Sequence, residues 1–408
     1  MEGARPSVSR YVLVSALWCA AALAVKPFFA YVDFGAFYAT ALDKILAGVP
    51  LDLYAFVAHP PGSPLAFPLT NPPIWFFYLT PWYAVGRAFS FADFSRQSGV
   101  SYGQAFMLVA TLPLDILLCR EVVRLAETRE RLAEPQRFYL FVCLLFSPIL
   151  WLSSVRFQHN EAAMVLFVLC AVAARERGRP GLSGLFWGLA LGIKTTAVLP
   201  ALAHFGWGLG RGRRRDTAIA ALLAGVSFLG PLLPYLAFRR EQVLYALVEF
   251  ERLRPLGGYV LWKLFPDPTE LASHANAMIL ALGALLGALM ARCRGASFLT
   301  SGGAWALVLG QVFLLMFGKG VFIWYALAIS CFFFLADRYD RKTAALIPMA
   351  PVVVSILLFL VLGSDWIGEA VSPAIKIRSA IWVVLLAGIG LIAARGLIED
   401  RSQWARRV

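Results

Sequence analysis

Long apolar runs separated by short polar segments make up most of the chain. A helix needs roughly 20 apolar residues to cross a bilayer, and the runs predict about twelve such helices. The stretch Gly181–Gly208 is basic at both flanks, so it is predicted to enter and return as two short helices that meet near Lys194. The pattern predicts an all-α polytopic membrane protein with one domain over residues 1–408. The predicted spans are Tyr11–Tyr31, Val100–Cys119, Phe138–Val155, Glu161–Ala174, the two halves of Gly181–Gly208, Thr217–Tyr235, Ala275–Ala291, Trp305–Phe317, Val321–Ala336, Ala344–Leu362 and Ser379–Ala394.

The composition agrees with a membrane location. Of the 408 residues, 60% are hydrophobic and only 15% are charged, and the mean hydropathy is +0.71. A soluble domain carries about a quarter charged residues. These values exclude an ordinary globular enzyme, a disordered protein and a secreted disulfide scaffold. The six cysteines have no metal or disulfide spacing, so we expect no metal site and read them as packing residues.

The positive charge indicates the orientation of the chain. The net charge of +13 would suggest a nucleic-acid partner in a soluble protein, but here the arginines cluster between apolar runs, as in Arg211–Arg215. Such clusters mark cytoplasmic loops, so we expect membrane lipids and no nucleic acid as partners. The first run resembles a signal peptide, but its length favours an uncleaved helix. Both termini are predicted in the cytoplasm of a plasma or inner membrane. The segments predicted to face outward are Val32–Gly99, Ala237–His274 and Gly363–Arg378.

The first outward segment contains a candidate catalytic carboxylate. Apolar residues recur at helical spacing from Phe34 to Ile45 and predict an amphipathic helix in the interface, with Gly48 as its stop. Asp33 precedes that helix, where a carboxylate either caps the helix or acts as a general base at the membrane surface.

Two further carboxylates in this segment have simpler interpretations. Asp43 is next to Lys44, which favours a solvated pair, and Asp52 lies in a predicted turn. After Asn71-Pro72-Pro73, the aromatic-rich stretch Ile74–Val85 predicts a second helix. That helix is either an interfacial aromatic belt or one wall of a groove for a prenyl chain.

Charged and polar side chains at membrane depth are the other candidates, because they are costly there unless they are functional. Lys194 interrupts an apolar stretch and either binds a phosphate or snorkels to the interface. The candidate residues are Arg156, His159, Asn160 and Glu161 between two runs, together with Lys194 and Lys319. His159 on its own is also explained as a turn residue. The sequence contains no nucleotide-phosphate loop and no Gly-x-Ser-x-Gly elbow, so we expect no nucleotide site and no cofactor.

Several short motifs, in this order, resemble the GT-C glycosyltransferases, and among them glycosyltransferase family 87, the polyprenyl-phosphate-mannose-dependent mannosyltransferases. The motifs are Asp33-Phe-x-x-Phe37-Tyr38, Gly48-x-Pro50-Leu51, Asn71-Pro72-Pro73, Gln158-x-Asn160, Gly184-Leu-Phe-Trp-Gly188 and Lys194-Thr-x-x-x-Leu199-Pro200. The resemblance covers roughly residues 10–235, as a catalytic module. Residues 236–408 match only as helices, with Phe322-Ile-Trp324-Tyr325 as a faint echo.

The resemblance implies a GT-C fold and an inverting transfer of a sugar, mannose in this family, from a polyprenyl-phosphate carrier to a lipid or glycan acceptor on the extracytoplasmic side. It implies Asp33 as the general base and no metal. Many family members carry a histidine in a late loop, where this chain has Lys319. The residues expected to bind substrate are Lys194, His159, Asn160, Glu161, Arg156, Asn71, Lys319 and Tyr38.

Two other functions are weighed against this one. Another GT-C enzyme would transfer a different sugar or ligate a lipid-linked oligosaccharide. A twelve-helix secondary transporter would show two related halves, and the sequence shows no such repeat.

Overall fold

A computed structural model describes residues 8–28, 38–55, 57–58, 67–68, 71–89, 101–130, 132–250, 256–258, 260–265, 268–293, 297–321, 325–336 and 373–405. These residues are mainly α-helical, as predicted. The α-helices are α1 Val8–Val25, α2 Thr40–Leu46, α3 Pro73–Ala88, α4 Tyr102–Phe106, α5 Leu108–Glu130, α6 Glu134–Leu145, α7 Pro148–Leu150, α8 Glu161–Glu176, α9 Pro180–Ile193, α10 Val198–Gly210, α11 Arg214–Leu229, α12 Leu233–Phe238, α13 Arg240–Leu244, α14 Pro268–Ala272, α15 Ala275–Ala291, α16 Gly303–Phe317, α17 Ala326–Ala336 and α18 Pro373–Ala405.

Shorter elements connect these helices. The stretches Trp151–Arg156 and Tyr245–Glu249 are π-helical. The 3-10 turns are Lys26–Phe28, Pro50–Ala55, Thr195–Ala197, Gly230–Leu232, Leu261–Leu264 and Leu299–Ser301. The strands are two residues long: β1 Val57–Ala58 pairs antiparallel with β2 Phe67–Pro68, and β3 Gly257–Gly258 pairs parallel with β4 Gly320–Val321.

Several helices are long and apolar enough to cross a membrane. Among the described residues, four qualify by length and composition: Arg10–Phe28, Glu134–Arg156, Arg214–Phe238 and Lys376–Glu399. Shorter apolar helices, among them α9 and α15, lie between them. Large apolar side chains such as Leu222 and Leu391 are exposed on these long helices, as lipid-facing residues are. These features support the prediction of an all-α membrane protein. The predicted span Ala344–Leu362 falls outside the described residues.

The predicted pair of short helices near Lys194 is confirmed. Helix α9 ends at Ile193 because Lys194 is extended, with φ −155° and ψ 124°. A 3-10 turn follows, and α10 begins at Val198. Since Pro200 lies in the first turn of α10, where a proline is tolerated, the sequence favours a new helix there rather than a continuation of α9.

Helix α5 is longer than predicted. We expected a span to end at Cys119 and a basic loop to follow, but α5 continues to Glu130. The arginines support the extra turns: Arg124 pairs with Glu121 on the same helix. Arg129 donates hydrogen bonds to backbone carbonyl groups at the end of α17, so it caps that helix.

The segment Val32–Gly99, which is predicted to face outward, contains helices near the predicted positions. Helix α2 covers the second half of the predicted amphipathic helix, and Gly48 follows it with φ +78°, in the left-handed region expected of a helix stop. Helix α3 packs against α2: the Tyr83 hydroxyl donates to Asp43 Oδ1 at 2.9 Å. The Tyr38 and Phe76 rings meet edge-on at 5.4 Å.

Glycines let the central helices approach closely. Helix α9 packs on α11 with Gly184 against the Ala220 backbone, and α10 packs on α15 with Gly206 against the Gly287 backbone. A Cβ atom at Gly184 or Gly206 would overlap those backbone atoms. Small residues at such crossings are typical of membrane helices, since close van der Waals contact holds helices together in lipid. The Gly184…Gly188 motif therefore has a packing role.

We expect Gly206→Ala to destabilise the protein by about 1–3 kcal/mol, since the new methyl group would force α10 and α15 apart. At Gly225 on α11, by contrast, a methyl group would meet no described atom within 4 Å. Gly225→Ala is therefore a matched control and should change stability by less than about 1 kcal/mol. Thermal unfolding of both variants in the same detergent measures the difference. Equal stability of the two variants would contradict this account of the packing.

Candidate functional site

A polar turn between two apolar helices forms the centre of the candidate site. The π-helical segment that ends at Arg156 leads into the turn, and α8 begins at Glu161. Gln158 has φ 51°, in the left-handed region, and its amide nitrogen donates to the Gln104 carbonyl oxygen at 2.6 Å. The His159 backbone N–H donates to the Ser153 carbonyl at 2.9 Å. A π-helix next to a left-handed residue is common at functional sites.

Glu161 and Lys194 form a buried ion pair. The Lys194 ammonium contacts Glu161 Oε1, and it lies 3.6 Å from the centre of the Tyr325 ring. The sequence suggested a phosphate or the membrane surface as the partner of Lys194; in the structure a carboxylate 33 residues earlier neutralises it. Asn160 strengthens the same junction, since its Nδ2 donates to the Ile193 carbonyl at 2.9 Å. The start of α8 is thus fixed to the break between α9 and α10.

His159 lies beside this pair. Its Nδ1 is 3.9 Å from Glu161 Oε2. Burial lowers the pKa of His159 well below its ordinary value, and the positive charges of Lys194 and Lys26 lower it further. The imidazole is therefore neutral at physiological pH. A neutral imidazole adds a hydrogen-bonding group to the site without adding charge.

The sequence analysis missed Lys26. This side chain is 0% exposed, and its ammonium donates to the Arg156 carbonyl at 3.2 Å. The sequence feature that points to Lys26 is a charged residue inside the first apolar run. The hydropathy pattern places it within the predicted first span. Lys26 connects the end of α1 to the polar turn, and it is one of the positive charges that act on His159. Basic residues from the 3-10 turn after α1, from the end of the π-helix and from the α9–α10 break therefore lie in or beside the polar turn.

The C-terminal half of the chain reaches the same region through Tyr325. The segment that holds Lys319 follows α16, and β4 pairs with β3 there. Trp262 Nε1 donates to the Phe317 carbonyl at 2.9 Å. Lys319 is buried. Tyr325, which stacks on Lys194, lies six residues after Lys319 in sequence. The faint motif echo in this part of the chain therefore includes a residue that contacts the site.

Asn71 and Tyr38 form a second cluster between α1 and α4. Asn71 Nδ2 lies 3.5 Å from the Tyr38 hydroxyl, and the Tyr54 hydroxyl donates to the Asn71 carbonyl at 3.2 Å. The Tyr54 ring meets the Tyr235 ring edge-on at 5.2 Å, which ties this segment to α12.

The predicted base, Asp33, falls outside the described residues, so its position stays a prediction. The two rival carboxylates have partners. Asp43 accepts from Tyr83 rather than forming only a solvated pair with Lys44. Asp52 Oδ1 accepts from the Arg239 guanidinium at 2.7 Å.

Within the described ranges, no group of three or more histidine, cysteine or acidic side chains is arranged to hold a metal ion. In comparisons with known proteins, no family model and no curated protein matches the chain.

We expect Glu161→Ala to lower the free energy of unfolding by about 3–5 kcal/mol, because it leaves the Lys194 charge buried and unpaired. Adding Lys194→Met to Glu161→Ala should recover more than half of that loss, since the stranded charge is then removed. Thermal or chemical unfolding of the two variants in detergent provides the comparison.

The matched control is Glu399→Ala on α18. Glu399 pairs with Arg395 at 2.7 Å on an exposed helix surface, so the loss of this carboxylate should leave stability unchanged within error. If Lys194→Met brings no recovery in the Glu161→Ala background, the ion pair does not hold the site together.

Proposed function

We propose that this protein is a GT-C membrane glycosyltransferase that moves a sugar, mannose by the resemblance, from a polyprenyl-phosphate carrier to a lipid or glycan acceptor. The proposal includes the GT-C fold with about twelve spans and a site on the extracytoplasmic side. The observation that carries it is the polar turn: Lys194 pairs with the single carboxylate Glu161, and the buried Lys26 donates to the Arg156 carbonyl beside it. Buried positive charge in excess favours an anionic ligand at that position.

The phosphodiester of the donor fits that charge, and it becomes a phosphate monoester with more negative charge when the sugar leaves. In the proposed reaction the acceptor hydroxyl oxygen attacks the anomeric carbon of the sugar, and the bond from that carbon to the phosphate oxygen breaks. The electron pair leaves with the phosphate, whose negative charge increases. Ammonium groups near that oxygen stabilise the charge as it develops. We assign this role to the basic residues of the turn, with Lys319 as a further candidate.

The general base of the reaction is proposed to be Asp33. A base has to approach the acceptor hydroxyl and take its proton as the new bond forms. Asp43 and Asp52 suit this role less well, since each already accepts a hydrogen bond from a protein donor. Asp33 follows Lys26 by seven residues in sequence. It therefore belongs to the chain segment that leaves the helix end where Lys26 contacts the turn.

We expect Asp33→Asn to lower the rate of sugar transfer by about 10²–10⁴-fold while the protein still folds and binds its donor, because asparagine is nearly isosteric but not basic. The measurement is transfer of labelled mannose from polyprenyl-phosphate-mannose to lipid acceptors by the purified protein. Asp43→Asn and Asp52→Asn are the matched controls and should lose far less. Near-wild-type turnover of Asp33→Asn would end the assignment of the base.

The same assay separates the rival functions. Transfer from a carrier with a different sugar would favour another GT-C enzyme. Uptake of a solute by proteoliposomes, without transfer of any sugar, would favour a transporter.

The orientation can be tested separately. We expect a cysteine at Ser63 to react with a membrane-impermeant reagent from outside the cell, and a cysteine at Arg213 to react only after the membrane is opened, because arginine clusters stay in the cytoplasm. The native cysteines are removed first. Reaction of both sites from the same side would refute the topology.

A further inference from the structure

The polar turn holds a buried acceptor atom on Gln158. The Gln104 carbonyl can only accept a hydrogen bond, so the amide nitrogen of Gln158 has to face it, at 2.6 Å. The amide oxygen Oε1 then points elsewhere, and it is buried without a hydrogen-bond donor among the described residues. The residue as a whole is 3% exposed.

Glu161 presents a second acceptor of the same kind. Its Oε1 is occupied by Lys194, whereas Oε2 is buried and receives no hydrogen bond from the part of the chain that the structure describes. His159 Nδ1 is 3.9 Å from Oε2, which is beyond hydrogen-bond distance. Buried acceptors are normally satisfied, so each exception needs an explanation.

The backbone holds Gln158 in a costly conformation. A φ of 51° is uncommon for a residue other than glycine. The turn is maintained by the hydrogen bond from the His159 N–H to the Ser153 carbonyl, at 2.9 Å. A strained backbone conformation of this kind is kept only where several surrounding contacts hold it in place. Such conformations cluster at ligand sites. Here this conformation fixes the direction of the Gln158 amide.

The chemistry of the two oxygens selects the ligand. Oxygen acceptors bind hydroxyl or N–H donors, whereas phosphate oxygens at neutral pH are themselves acceptors and would be repelled. The basic residues next to the turn, Lys26 and Lys194, have the opposite preference. The turn therefore matches a ligand that has an anionic end and a hydroxyl-bearing end.

We propose that Gln158 Oε1 and Glu161 Oε2 accept hydrogen bonds from hydroxyl groups of the transferred sugar and so determine which sugar the enzyme uses. This assignment rests on the proposed function. We place the donor sugar there, rather than the acceptor, because the phosphate bound by the adjacent cations is bonded to the anomeric carbon of that sugar.

The test is a cross-comparison of enzyme variants and donor analogues. The donors are polyprenyl-phosphate-mannose and the set of its monodeoxy analogues, with the same lipid acceptor throughout. Gln158→Gly removes the amide, and glycine adopts a left-handed φ without strain. We expect it to lower kcat/KM for the natural donor by about 10- to 100-fold. One of the deoxy analogues lacks the hydroxyl group that bonds to Gln158. With that analogue the variant and the wild type should have the same kcat/KM.

Glu161→Gln is an isosteric second variant, useful if Gln158→Gly does not fold. The Lys194 ammonium can only donate, so the new amide oxygen has to face it and the amide nitrogen takes the place of Oε2. An acceptor thereby becomes a donor. We expect a loss of similar size with the natural donor, and the loss should disappear with a deoxy analogue that lacks the matching hydroxyl.

Gln311→Ala is the matched control. Gln311 is another buried glutamine, in the middle of α16, so its loss should change the rate by the same factor for every donor. If Gln158→Gly and Glu161→Gln also lower kcat/KM by the same factor for every donor, the two oxygens do not contact the sugar. The proposal is then overturned, while the proposed function stands. If the wild type transfers no sugar from any carrier, the proposed function fails and this assignment fails with it.

Discussion

The pairing of Glu161 with Lys194 is the constraint on which the centre of the structure depends. Glu161 is buried and Lys194 is only 11% exposed, so each charge is stabilised by the other at contact distance. The pair fixes the first residue of α8 to the break between α9 and α10, and the bond from Asn160 to the Ile193 carbonyl repeats that link. Around that fixed point α8 packs on α9, and α9 packs in turn on α11 through Gly184. A pair of apolar side chains would also pack here, but it would not fix the start of α8 to the α9–α10 break.

The sequence predicts the apolar helices well. A span has to satisfy its backbone internally, so an unbroken apolar run becomes a helix, and α15 has the predicted bounds Ala275–Ala291. The break at Lys194 was also predictable, because a charged residue and a nearby proline interrupt the apolar run. The extension of α5 was not predictable from the sequence. Basic clusters were assigned to loops, but Arg124 and Arg129 have partners on α5 and α17 that allow the helix to continue.

The candidate site was harder to predict, because its contacts join residues far apart in sequence. The sequence singled out Glu161 and Lys194 separately, and only the packing of α8 against α9 brings them together. Lys26 looked like part of a span because one lysine hardly changes the hydropathy of an apolar run. Its 0% exposure and its bond to the Arg156 carbonyl identify it as part of the site. For Asp33 the evidence remains the sequence, because this residue lies outside the described ranges.

The polarity of the turn gives the site its chemical character. A sugar phosphate has an end that only accepts hydrogen bonds and an end rich in hydroxyl donors. In the proposed function, Lys26 and Lys194 bind the first end, and the unpaired oxygens of Gln158 and Glu161 accept from the second. Because Glu161 uses one oxygen for Lys194, a single carboxylate separates the two regions. In the proposed site, the residue that joins α8 to the α9–α10 break also separates the two binding regions, so we expect changes at Glu161 to alter stability and sugar recognition together.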